Sequence, residues 1–147
     1  MNRVVGRRRV LRAGLALGVA AIATPGRAAC EFFTGNLTIV HPWTRATIAG
    51  DRSAIVCMTL QDVLQTDRLI GVVTPVAERC EMGGAGPGAP LDILVREGET
   101  TELTEAGIHV QLLGLKFPMP VGREYPLTLV FARFGAFEAD LNVDYER

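Results

Sequence analysis

Residues Phe137 to Tyr145 alternate without a fault between apolar and polar: Phe137, Ala139, Leu141, Val143 and Tyr145 against Glu138, Asp140, Asn142 and Asp144. A period of two is that of a strand with one face in a core and the other in water. The same reading applies to Ser53–Gln61, where Ala54, Val56, Met58 and Leu60 share one face. Other short extended stretches are Leu37–Val40, continuing past His41-Pro42 into Trp43–Thr47, then Arg68–Val73, Ala77–Met82, Leu91–Val95, Thr100–Leu103, Ile108–Leu115 and Tyr125–Ala132. Turn chemistry separates them. Ala49-Gly50-Asp51-Arg52 is a turn, and Gly83–Pro90 holds four glycines and two prolines. Pro118 and Pro120 break the stretch Lys116–Arg123. No long amphipathic helix and no internal repeat is legible. Regularly spaced short strands predict an all-β antiparallel sandwich or barrel of about seven to nine strands.

The start of the chain reads differently. Residues 1–28 hold six arginines and no acid, then an apolar run from Leu11 to Ala23, then Gly26-Arg27-Ala28. A basic start, a short apolar run and small residues before a cleavage point are the parts of a secretory signal. Arg7-Arg8-Arg9-Val10-Leu11 also fits a twin-arginine pattern, so both export routes stay open. The apolar run is shorter than the ~20 residues a membrane span needs. Lipid attachment at Cys30 normally wants a Leu-like residue three positions earlier, where Arg27 stands. The expected division is a signal peptide over 1–28 and one exported, periplasmic domain over 29–147, long enough for a single core.

Past the signal, nine basic residues face sixteen acidic ones, a formal charge of −7. That balance argues against nucleic acid or an anionic membrane as partner. Cys30, Cys57 and Cys80 match no zinc or C-x-x-C spacing. An oxidising compartment allows two of them to pair and leaves one thiol over. No enzyme is expected. There is no recognisable nucleophile–base set, and the Gly83–Gly88 run lacks the Lys and helix of a phosphate cradle.

One strand carries a residue suited to metal chemistry. In Thr104–Leu115, Ile108, Val110 and Leu112 are assigned to the core face, and His109 and Gln111 to the outer one. His109 is one of two histidines; it reads either as a ligand or as an exposed strand residue. Met82 and Met119 are candidate sulfur donors, Met58 reads as core, and Cys57 and Cys80 read as buried thiols or as soft donors beside His109. His41, ahead of Pro42, reads as turn packing, and Trp43 as an anchor for one end of the sandwich.

Several short signatures fall in order along residues 37–144. Ile39–Thr47 follows the pattern "hxWxRat", Ala54–Leu60 "aaxYMtL" with Cys57 at the tyrosine, and Asp67–Val72 "DrLvgv". Ala77–Met82 stands at "AxxvelH", Gly107-Ile108-His109 at "GgxH", and Leu127-Thr128-Leu129 with Phe131 at "ltLxF". Together they resemble the PCu(A)C-type periplasmic copper chaperones. The resemblance implies a cupredoxin-like antiparallel β-sandwich with Greek-key connections. It also implies a monomeric carrier that holds Cu(I) in a His/Met site and passes it to the copper centre of cytochrome c oxidase. Residue by residue, the family's first ligand position falls on Gly83, the next methionine has no counterpart, and the last falls on Gln111. His109 alone is retained, with Met82 beside the lost position as the candidate thioether. Two outcomes are therefore expected: a copper carrier built on His109 and Met82, or a diverged relative that keeps the sandwich and serves as a protein-interaction module.

Overall fold

A computed structural model describes residues 30–147. The expected signal peptide over 1–28 lies outside the described residues. Ten strands run in order: β1 (Glu31–Phe33), β2 (Thr38–Arg45), β3 (Ser53–Gln61), β4 (Asp67–Val73), β5 (Ala77–Gly83), β6 (Ile93–Val95), β7 (Thr101–Leu103), β8 (His109–Leu115), β9 (Glu124–Phe131) and β10 (Gly135–Tyr145). The all-β expectation holds. The count exceeds the sequence estimate because the three-residue strand β1 exists through pairing with β2, from Glu31↔Val40 to Phe33↔Thr38. So short a run has no period of its own to read.

The strands join in one hydrogen-bonded path, β5-β8-β3-β2-β10-β9-β4-β6, with β1 on β2 and β7 on β3. The path curls until its halves meet: the Val72 amide on β4 donates to Cys80 Sγ on β5 at 3.3 Å. One ladder departs from the antiparallel expectation. β10 runs parallel to β2, with Asn142 opposite Trp43 and Tyr145 opposite Arg45. At this seam the Trp43 and Tyr145 rings meet edge to face, with centroids 4.7 Å apart.

The core follows the alternation. Ala54, Val56, Met58 and Leu60 of β3 are buried, as are Ala139, Leu141 and Val143 of β10. Cys57 is buried on the other face of β3, paired in register with Trp43. Asp67 is buried and satisfied by backbone: its carboxylate accepts from the amides of Arg68, Arg133 and Phe134. It thereby pins the β9–β10 turn to β4, the cap chemistry a carboxylate at a strand start suggests. His41 sits where the register of β2 shifts, at φ 49°, with Nε2 2.6 Å from Asp144 Oδ2. No helix among the described residues is long and apolar enough to cross a membrane.

Candidate functional site

His109 opens β8, directly after the turn Thr104–Ile108 that links it to β7. The turn closes on itself. Thr104 N–H donates to the Ile108 carbonyl at 3.0 Å, and Gly107 N–H donates to Thr104 Oγ1 at 3.1 Å. The Gly107 carbonyl stands 3.0 Å from His109 Nδ1. A carbonyl oxygen only accepts, so Nδ1 carries a proton, and in the neutral ring Nε2 then holds the lone pair. Nε2 faces Gln111 Oε1 at 3.4 Å. Two acceptors gain nothing from each other at that range. With the ends of the Gln111 carboxamide exchanged, the same contact becomes an N–H donated to Nε2.

The outer face of this strand end is not open to water. His109 is 6% exposed, whereas Ile108, expected in the core, is exposed at 37%. The reason lies across the ladder, where Gly83 of β5 is the register partner of His109. A Cβ at Gly83 would fall 2.0 Å from His109 Nε2, and one at Gly84 would fall 2.4 Å from the Gly107 carbonyl oxygen. Gly84 also has φ +82°, a conformation that favours glycine. The ring and its carbonyl partner thus occupy a slot that two missing side chains leave. In the sequence the Gly-Gly pair reads as loop material, with Gly83 at the position the resemblance gives to the first ligand.

Met82 pairs with Val110, one rung from the Gly83–His109 pair. Cross-strand partners share a face and neighbours along a strand alternate. Met82 therefore lies on the apolar face with Val110, packed against the core, and His109 lies on the other. The two candidate ligands are neighbours in the ladder that do not meet. Met119 is fully buried, with its amide donating to Thr47 Oγ1 at 2.9 Å, so it is a core residue. Glu81, the partner of Gln111, shares the His109 face and accepts from the Gly88 amide at 3.2 Å.

Cys30, Cys57 and Cys80 are free thiols. Burial pushes the Cys57 thiol up to about 11 and raises that of Cys80 as well. Both are protonated near neutral pH, and a protonated thiol is a poor metal donor. Among the described residues, no three or more His, Cys, Asp or Glu side chains cluster as a metal site.

A second contact braces the His109 turn. Arg45 at the end of β2 donates through Nε to Glu105 Oε1 at 2.6 Å and through Nη2 to Glu105 Oε2 at 3.0 Å. The guanidinium holds the Glu105 carboxyl below its ordinary range, with a smaller pull from the His109 ring. Beside the pair lies a cleft of about 250 Å³ whose lining includes Thr44, Ser53, Ile55 and Gln111. Sequence reading missed this pair because its members stand 60 residues apart.

The sequence matches the model of the LpqE-like lipoprotein family over residues 37–143. The chain belongs to that family. Among solved structures it is similar to the copper-bound PCuAC domain of PmoF2, at 28% identity and a TM-score of 0.71, over 79% of this chain and 98% of that one. The apo PCuAC domain of PmoF1 is similar at 25% identity and a TM-score of 0.72, over 79% and 99% of the two chains. The Cu(I)-bound DR1885 protein of Deinococcus radiodurans shares the fold at 24% identity and a TM-score of 0.58, over 70% and 74%. No match was found among curated proteins. The expected PCuAC-type membership and the cupredoxin-like β fold are thus both borne out.

Proposed function

We propose that this LpqE-like chain is an exported, non-enzymatic copper-binding protein, with residues 1–28 as the export signal, 29–147 as a monomeric carrier domain, and His109 as nitrogen donor. The observation that carries this reading is the state of the His109 ring. With Nδ1–H committed to the Gly107 carbonyl, Nε2 is the nitrogen with the lone pair whenever the ring is neutral. A ligating histidine commonly has its other nitrogen held in this way by a carbonyl. The copper-bound state of the PmoF2 domain, 28% identical, supports the same reading. Imidazole serves both copper oxidation states, while Cu(I) also wants soft sulfur. Met82, one rung away, is the candidate thioether. It reaches the His109 face if the end of β5 turns over at Gly83-Gly84. The acceptor implied by the chaperone resemblance is a copper centre of cytochrome c oxidase.

Titrating the reduced 29–147 protein with Cu(I) against a chromophoric competing chelator tests the reading. Tight binding by the wild type that weakens in His109→Ala supports it. Equal binding by the two, or none by either, removes it.

A second reading has its own support. His109 is buried, the resemblance puts its first ligand at Gly83, and Met82 lies on the core face. A chain that kept the sandwich and closed the site would have this arrangement, and would work as a protein-interaction module. Absence of copper binding in that titration selects it.

A further inference from the structure

We infer that Arg45 and Glu105 are positioning residues for His109, setting which of its ring nitrogens presents a lone pair. The inference rests on the copper reading for its functional meaning, but its geometry stands apart from it. Glu105 lies two residues before Gly107, inside the turn whose carbonyl receives Nδ1–H of His109. The turn's backbone bonds run within it, from Thr104 to Ile108 and from Gly107 to Thr104. Such bonds fix its shape but not its place on the sandwich. Arg45 supplies a tether. Its guanidinium grips both carboxylate oxygens of Glu105 and donates through Nη1 to the Glu146 carbonyl at 3.2 Å, while sitting 5.7 Å from the Tyr145 ring centroid. The turn is thereby fixed to the β2–β10 seam.

A two-pronged guanidinium–carboxylate contact is directional as well as attractive. It constrains where Glu105 sits, and through two residues of chain where the Gly107 carbonyl points. An exposed ion pair adds little to stability. Removing it therefore leaves the fold standing and loosens the turn. Without a carbonyl fixed at Nδ1, the ring is free to move its proton to Nε2. In that tautomer the nitrogen facing Gln111 no longer has a lone pair for a metal.

The test is the tautomer of His109 in ¹⁵N-labelled 29–147 protein, read from long-range ¹H–¹⁵N correlations at a pH where the ring is neutral. Wild type is expected to have a protonated Nδ1 and a bare Nε2. Glu105→Gln and Arg45→Glu are expected to give a mixture of tautomers, and Arg45→Lys, which keeps the charge without the two-pronged grip, to fall between them and the wild type. Arg68→Ala breaks the comparable exposed pair with Asp92 and is expected to change nothing at His109. Wild-type signals in Glu105→Gln overturn the proposal, as does an equal change in Arg68→Ala. Copper affinity is measured on the same proteins. Outer partners of a ligand typically contribute 10–100-fold, so a loss of roughly tenfold is expected in Glu105→Gln. A tautomer change with no copper bound by any protein leaves the positioning role standing and removes the carrier reading. Undiminished copper binding together with an unchanged tautomer removes the positioning role alone.

Discussion

The Cβ that Gly83 lacks would lie 2.0 Å from Nε2 of His109. One residue's absent side chain is the space the other's ring fills.

This pairing makes Gly83→Ala an overpacking substitution at a site with little slack. The added methyl must displace the ring, and such insertions cost about 1–3 kcal/mol. In a His109→Ala background the space is free, and the same change should cost less than half as much. Urea unfolding of the four proteins of this cycle measures the coupling. Equal costs in the two backgrounds would show that the ring does not occupy the slot.

What the sequence could and could not reveal follows from where each signal resides. The period of β10 and of β3 is local, so both strands and most of their buried residues were legible. β1 has three residues and owes its existence to β2. The exposure of His109 was misread because alternation says which side a residue faces, not what covers that side. Its cover comes from Gly83 and Gly84, more than twenty residues earlier. Met119 looked like a loop residue between two prolines, yet its amide is bonded to Thr47 and its side chain is buried. The candidate site was readable at His109 because histidine is rare here. The Arg45–Glu105 brace was not, since neither residue is unusual and only the fold brings them together.

Asp67 offers a test of the frame that holds the site's sheet. Its carboxylate accepts from the backbone amides of Arg133 and Phe134 across the β9–β10 turn. Asp67→Ala leaves these part-buried donors without their acceptor. A fully buried unsatisfied donor costs about 1–3 kcal/mol, and these are only partly buried, so a loss toward the lower end of that range is expected in denaturant unfolding. Asp67→Asn keeps an acceptor oxygen and should lose less. A change within 0.5 kcal/mol for the alanine variant, the range of ordinary surface substitutions at roughly ±0.5 kcal/mol, would mean the turn holds without this cap.

Cys57 gives a pH prediction with a definite sign. Burial raises its thiol from 9.0 to about 11 in the folded protein. Above the unfolded value the unfolded chain releases this proton while the folded one keeps it. The unfolded state then binds fewer protons, so stability falls as pH rises from about 9 to about 11, and is fully present below that window. The loss is on the order of 1–3 kcal/mol. Comparing urea unfolding at both ends of the window for wild type and Cys57→Ala isolates it from other groups. The slope should flatten in the variant. An identical slope in the two proteins would place the effect elsewhere.

The β3–β8 ladder puts the buried Cys57 thiol on the face shared by His109 and Gln111, but no thioether among the described residues, and this sets the sharpest expectation for the site. Gln111 Oε1 stands 3.4 Å from His109 Nε2, so a side chain at 111 reaches the nitrogen that holds the lone pair. Gln111→Met places a thioether there without touching the Gly107 carbonyl or the glycine slot. Thioether sulfur is soft and favours Cu(I), whereas an amide oxygen does not. Cu(I) affinity should rise by about tenfold or more in Gln111→Met, roughly 1.4 kcal/mol, and the gain should vanish in Gln111→Met/His109→Ala. Met82→Leu, a volume-conserving change on the apolar face, should cost less than about 1.5 kcal/mol in stability. If Met82→Leu leaves wild-type copper affinity unchanged while Gln111→Met raises it, the native site has no thioether donor. If Met82→Leu weakens copper instead, the end of β5 does turn over at Gly83-Gly84 and Met82 reaches His109. If Gln111→Met gains nothing, His109 is sealed against metal, because a ligand placed beside an accessible Nε2 lone pair has to be felt.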